Sequence, residues 1–213
     1  MSRPSKEQYY LNIAREIGDR STCYRQKMGV VILKDDQIIA SGYIGAPRKT
    51  KDCLERGECL RDKLKVPHGT RYEICRSVHA EQNAIINAAR AGVSLIGGDM
   101  YMHSINPKTG LKNDALPCFF CKRMIINAGL KRVVTMTKEG EVRIFSVEEW
   151  AQEWKYNDIV DDKHQYGTDE NIRDGLGGKP LGNNQIEEKD FKSLKEILMQ
   201  EGKKEIINKI EEA

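Results

Sequence analysis

Two short segments, each at the start of a predicted helix, constrain this chain more than any other feature. The first is His79-Ala80-Glu81 and the second is Pro117-Cys118-Phe119-Phe120-Cys121. Cys118 and Cys121 are three residues apart, so a helix places both sulfurs on the same face of its first turn. A fold that brings the two segments together therefore assembles one imidazole, two thiols and one carboxylate.

These four side chains are the ones that a catalytic zinc site requires. Such a site takes three protein ligands and keeps a fourth position for water, and His79, Cys118 and Cys121 supply the three. A helix N-terminus favours the thiolate form that binds zinc. Glu81 lies two residues past His79 and is predicted to move protons as a general acid and base. The alternative is a structural zinc in a non-enzymatic domain, which would leave Glu81 without a role.

The remaining pattern predicts an α/β fold. The predicted order of elements is α-β-β-α-β-α-β, which implies a sheet with helices on its faces. The predicted helices span residues 7–18, 79–91 and 117–128, and the predicted strands span 28–34, 38–43, 99–104 and 131–136. Residues 141–145 are a candidate for one more short strand. Residues 45–78 have little periodicity, and so long a loop inside a compact domain is usually functional.

Charge divides the chain into two parts. Residues 1–145 hold 25 Lys and Arg against 15 Asp and Glu, whereas residues 146–213 hold 10 against 17. The basic part favours an anionic substrate such as a nucleotide, although a merely solvated surface would have the same composition. We predict a domain over 1–145, and an acidic extension over 146–213 with a short helix from Ser146, a polar linker and a final amphipathic helix.

The four other cysteines, Cys23, Cys53, Cys59 and Cys75, predict a second metal site. The N-terminus has no apolar signal region, and no stretch approaches the roughly 20 apolar residues of a membrane helix, so a cytoplasmic location away from membranes is expected. In a reducing cytosol, cysteines favour metal binding over disulfides. Four thiolates complete a structural zinc site that would order loop 45–78. Free buried thiols are the alternative.

The chain resembles the deoxycytidylate (dCMP) deaminase family over roughly residues 7–136. The resemblance lies in the segments Met28-Gly-Val-Val-Ile32, Gly42-Tyr-Ile-Gly-Ala-Pro47, His79-Ala-Glu-Gln-Asn-Ala-Ile85, Pro117-Cys-Phe-Phe-Cys121 and Ile125-Ile-Asn-Ala-Gly129. His-x-Glu with Pro-Cys-x-x-Cys is the signature of zinc-dependent nucleobase deaminases. The resemblance implies a cytidine-deaminase-like α-β-α sandwich with a central mixed sheet, conversion of dCMP to dUMP and ammonia, and a homo-oligomer, either a dimer or a hexamer. It also implies a second, structural zinc in some members, some of which use His as well as Cys, so His68 is a candidate substitute ligand.

Two departures and two further residues bear on the substrate. Ile44 replaces the family's Asn beside the sugar, and residues 105–116 are inserted close to the zinc ligands. Asn83 matches the family pattern for a substrate contact, with a helix cap or core hydrogen bond as its alternative role. Arg48 is a candidate for binding the substrate phosphate. The alternatives to dCMP are another free nucleotide or nucleoside and, less favoured, a base within RNA, as in tRNA adenosine deaminases.

Overall fold

The computed structural model describes residues 3–67 and 71–156, and the predicted linker and final helix lie outside these ranges. Six α-helices are described, namely α1 (Lys6–Gly18), α2 (Cys53–Arg56), α3 (Leu60–Lys63), α4 (Ala80–Ala91), α5 (Phe119–Asn127) and α6 (Val147–Tyr156). Six strands are described, namely β1 (Lys27–Lys34), β2 (Gln37–Tyr43), β3 (Asp99–Ile105), β4 (Lys112–Asn113), β5 (Arg132–Met136) and β6 (Val142–Ser146). None of the described helices combines the length and apolarity needed to cross a membrane.

The strands form one mixed sheet. The order is β2-β1-β3-β5-β6, and the short β4 pairs with β3 inside the predicted insertion. β1 is antiparallel to both β2 and β3, whereas β3 and β5 are parallel. The β1–β2 hairpin turns at Asp35 and Asp36, both with positive φ, as the favoured two-residue hairpin turn requires.

Helices cover both faces of the sheet, which confirms the predicted α-β-α layering. Alternate residues of a strand point to opposite faces, so Val30 and Ile32 of β1 join one core cluster and Val31 and Leu33 join another. The first cluster includes the buried alanines of α4 and Ile125 of α5. The second cluster is formed with α1.

The topology also determines where α4 and α5 begin. Because β2 and β3 are both antiparallel to β1, they run parallel to each other and to β5. α4 follows β2 and α5 follows β3, and both helices pack on the same face. The two helices therefore begin at the same edge of the sheet, beyond the carboxyl ends of parallel strands, where ligands bind in open α/β sheets.

Two segments differ from their sequence-based description. Residues 45–78 contain α2, α3 and a 3-10 turn at Tyr72–Ile74, all too short to give a periodic signal.

At the start of the predicted extension, Ser146 caps α6 by accepting a hydrogen bond from the backbone N–H of Glu149, 3.3 Å away. Val147 and Trp150 are buried in the core cluster of α4 and α5, so α6 packs onto the sheet domain. The division of the chain at residue 145 stays a prediction.

Candidate active site

The predicted zinc ligands converge where α4 and α5 begin. His79 and Cys118 are the N-cap residues of the two helices, and both have extended backbones. Nδ1 of His79 lies 3.5 Å from Sγ of Cys118 and 3.4 Å from Sγ of Cys121. All three donor atoms lie within 4.8 Å of one another, and they are the sole cluster of this kind in the described part of the chain.

This geometry fits a tetrahedral zinc ion. Ligand distances of about 2.0 Å to nitrogen and 2.3 Å to sulfur, joined at a tetrahedral angle, separate the two donor atoms by about 3.5 Å. The separations between His79 and the two cysteines have this value. Hydrogen bonds with Cys121 and, to a smaller extent, with His79 lower the pKa of the Cys118 thiol to about 4. The donor set therefore provides a thiolate as well as an imidazole.

Glu81 is buried beside these donors. Its side chain is 2% exposed, and Oε2 has no hydrogen-bond partner among the described residues. Burial raises the pKa of this carboxyl, which brings it closer to the range useful for proton transfer near neutral pH. A buried carboxylate oxygen without a partner is costly, so this position favours a site that a water or substrate group completes.

An open cleft runs from the metal ligands to the loop of residues 45–78. The imidazole of His79 contacts the edge of Tyr72, with ring centroids 4.9 Å apart, and the guanidinium of Arg61 lies 4.8 Å from the Tyr72 ring centroid. Arg61 also donates a hydrogen bond to the carbonyl of Pro67. This stack forms one wall of the cleft and restricts the orientation of the ligand histidine. Ile44, the departure from the family pattern, is buried and lines the same cleft.

Arg25, which sequence reasoning missed, also lines this cleft. Its Nε donates to Asp62 at 2.6 Å and its Nη2 donates to the carbonyl of Val66 at 2.8 Å. Nη1 is buried and has no partner within the described residues. The guanidinium is thus held in place through Nε and Nη2, and the two N–H groups of Nη1 can bind another acceptor. The signal available in the sequence was only its position two residues after Cys23.

The two predicted substrate contacts have other partners. Asn83 donates from Nδ2 to the carbonyl of Tyr43 at 2.8 Å, which ties α4 to the end of β2 and matches the alternative role of a core hydrogen bond. Arg48 donates to Oδ1 of Asn87 at 2.8 Å on an exposed part of α4. The cleft with the predicted metal ligands is lined by two other arginines, Arg25 and Arg61, and the roles of Asn83 and Arg48 toward a substrate stay predictions.

The four other cysteines lie along the same cleft, and all are free thiols. Several pairs of these cysteines lie close enough for their thiolate charges to interact, among them Cys23 with Cys75, Cys53 with Cys75, and Cys53 with Cys59. Burial raises the pKa of Cys23 and of Cys53. Their sulfurs do not form a cluster as tight as that of the His79 site in the ranges that the structure describes. The substitute ligand His68 lies outside those ranges.

A family model and several curated proteins match the chain. Residues 4–137 match the model described as "Cytidine and deoxycytidylate deaminase zinc-binding region". The deoxycytidylate deaminase of Mycobacterium phage D29 is 34% identical over 63% of this chain and 96% of its own length. That of Schizosaccharomyces pombe is 32% identical over 63% of this chain. The match spans 38% of the S. pombe protein, so these two relatives differ greatly in length.

Solved structures are also similar to part of this chain. The dCMP deaminase of cyanophage S-TIM5, crystallised with dCMP and dUMP, is 26% identical, covers 64% of this chain and 85% of its own, and has a TM-score of 0.46. A cytidine deaminase from Burkholderia pseudomallei covers 68% of this chain at 15% identity, with a TM-score of 0.45. Residues 4–137, which match the family model, contain every residue of the cleft described above.

Proposed function

Because the chain belongs to the cytidine and deoxycytidylate deaminase family, we propose that it hydrolyses the amino group of a pyrimidine nucleotide, converting dCMP to dUMP and ammonia. The observation that carries this proposal is the buried Glu81 beside the three donors His79, Cys118 and Cys121. A purely structural zinc site would have a fourth protein ligand and no need for a buried carboxylate with one oxygen unpartnered among the described residues.

His79, Cys118 and Cys121 would hold the zinc ion. When bound, zinc supplies Lewis-acid chemistry and makes water acidic enough to react near neutral pH. Glu81 accepts a proton from the attacking water at its carboxylate and delivers it to the ring nitrogen of the base. It then transfers the second proton to the departing amino group, which leaves as ammonia, so the water supplies both protons and the carbonyl oxygen of the product. Its burial excludes competing solvent from these transfers.

Arg25 supports a substrate with a phosphate. Its fixed guanidinium has one nitrogen, Nη1, whose two N–H groups have no partner among the described residues, and it lines the cleft of Glu81. Phosphate oxygens are suitable acceptors for such a group. The net positive charge of residues 1–145 favours the same class of substrate. A cytoplasmic location, a homo-oligomeric state and a contact from Asn83 to the nucleotide belong to the same proposal.

The test is a substrate panel with the full chain loaded with zinc. It contains dCMP, CMP, deoxycytidine, dAMP and a tRNA, and released ammonia is measured. We expect dCMP to be the best substrate. Glu81→Gln should retain one zinc at the His79 site and lose roughly 10²- to 10⁴-fold in turnover, because the neutral amide cannot accept the proton. An active, metal-loaded Glu81→Gln variant would contradict the proposed role, and activity confined to tRNA would contradict the proposed substrate.

We also propose a second, structural zinc held by Cys23, Cys53, Cys59 and Cys75. The backbone N–H of Arg25 lies 3.4 Å from Sγ of Cys23, a contact that stabilises a thiolate ligand. Elemental analysis should find two zinc ions per chain, of which Cys53→Ser removes one and Cys118→Ser removes the other. One zinc per chain that Cys53→Ser leaves unchanged would refute the second site.

A further inference from the structure

Both tryptophans of the chain, Trp150 and Trp154, lie one turn apart on α6 and contact α5. Nζ of Lys122 lies 4.9 Å from the ring centroid of Trp150 and 5.8 Å from that of Trp154. The ring of Phe119 lies 6.2 Å from the ring of Trp154. Phe119 and Lys122 are three residues apart on α5 and therefore share one face, which is the face that α6 covers.

These contacts involve the metal-binding turn itself. Phe119 lies between Cys118 and Cys121, and Lys122 directly follows Cys121. Lys122 is 6% exposed although it has a long charged side chain, and an ammonium over an indole is attracted more strongly when water is excluded. The Cys118 side chain makes no capping hydrogen bond within the described structure. The orientation of this first turn therefore depends on what packs against it.

We propose that Lys122, held against the indoles of Trp150 and Trp154, is a positioning residue for the Cys118–Cys121 turn. Through it, α6 supports the metal centre although none of its own residues belongs to the predicted ligand set. This inference rests on the zinc site of the proposed function and extends it to the start of the acidic part of the chain. Residues that hold metal ligands in orientation commonly change metal affinity 10- to 100-fold when they are replaced.

The experiment measures zinc loss. Lys122→Met keeps the length of the side chain but removes its charge, and we expect it to release the His79-site zinc to a chromogenic chelator 10- to 100-fold faster than the wild type. Lys122→Arg retains the cation over the indoles and should stay within about threefold of the wild type. Arg123→Met, on the exposed side of the same helix, is the matched control and should leave the release rate unchanged. Far-UV circular dichroism confirms that each variant is folded.

Fluorescence gives a second readout that is independent of turnover. Because Trp150 and Trp154 are the two tryptophans of the chain, tryptophan emission reports on α6 alone. Chelation of zinc should change the wild-type emission and re-addition should restore it, whereas Lys122→Met should weaken this response. Should Lys122→Met fail to fold, Trp154→Phe, which keeps an aromatic ring, is measured in its place. Equal release rates in Lys122→Met and wild type, with emission insensitive to zinc, would overturn the proposal. A wild-type protein that binds no zinc would instead refute the proposed function.

Discussion

Replacement of Gly42 by alanine is predicted to lower kcat/KM by displacing α4, the helix that positions Glu81. Gly42 lies on β2, directly beneath the first turn of α4. A Cβ atom built at this position lies 2.4 Å from the carbonyl oxygen of Ala80 and 2.4 Å from the backbone N of Ala84. Backbone atoms cannot rotate away as a flexible side chain could. The added methyl group must therefore push α4 away from the sheet.

The size of this displacement follows from the contact distances. Ordinary van der Waals contact begins at 3.4 Å, so α4 has to move by about 1 Å. Ala80 lies between His79 and Glu81, which must move with it. A misplacement of about 1 Å can cost about 100-fold in rate, which corresponds to about 2.7 kcal/mol of transition-state stabilisation. Overpacking of the core should also lower the free energy of unfolding by about 1–3 kcal/mol.

A matched control separates displacement of the site from general destabilisation. A Cβ atom at Gly29 would clash with backbone atoms of Ala14 and Gly18 in α1, on the opposite face of the sheet. Gly29→Ala should destabilise the fold but leave kcat/KM, measured per zinc-loaded folded molecule, within about threefold of the wild type. Leu11→Ala, which removes a fully buried side chain of α1, is the second control if Gly29→Ala does not fold. Equal losses of kcat/KM in Gly42→Ala and Gly29→Ala would refute the reasoning.

Two further predictions concern the substrate and the stability of the fold. Arg25→Gln should lower kcat/KM for dCMP by roughly 10- to 100-fold, the effect of one charge-assisted hydrogen bond, and leave kcat/KM for deoxycytidine nearly unchanged. Arg56→Gln on α2 is the control and should change neither value. Equal losses on both substrates in Arg25→Gln would exclude a phosphate contact. Burial, aided by Lys112 and Arg15, lowers the pKa of His103 to about 4, whereas an unfolded histidine titrates near 6.5. The stability due to the neutral ring is complete above pH 6.5 and is lost as the pH falls toward 4. Denaturant unfolding measures the free energy of unfolding at pH 7 and at pH 4. Between these two pH values, the wild type should lose about 3 kcal/mol more of this free energy than His103→Gln does. Equal losses in the two proteins would contradict this assignment.

The sequence predicted the main elements because their signals are local. Alternating or helical spacing of apolar residues places each long helix and strand within a few positions of its observed bounds. The predicted starts of α4 and α5 were early by one and two residues, because spacing does not distinguish an N-cap from the first helical turn. The difference matters chemically, since His79 and Cys118 are N-caps with extended backbones at the open end of each helix.

The unpredicted parts of the site depend on contacts between residues far apart in the chain. The hydrogen bonds of Arg25 to Asp62 and Val66 span 37 and 41 residues, and no local pattern announces them. The packing of Lys122 against Trp150 likewise requires the observed path of β5 and β6 between α5 and α6. Four-residue helices such as α2 have too few turns for apolar spacing to reveal them.

Three separate supports hold this site, and each should fail in its own way. Close contact with Gly42 places α4, so its disturbance moves His79 and Glu81 and should lower kcat per zinc-loaded molecule. Packing of α6 on Lys122 supports α5, so its disturbance should first accelerate zinc loss. The fixed guanidinium of Arg25 belongs to the cleft wall, so its loss should raise KM for the nucleotide and leave the metal in place. Because the supports come from different elements, Gly42→Ala and Lys122→Met should have nearly additive effects on stability unless α4 and α5 move together.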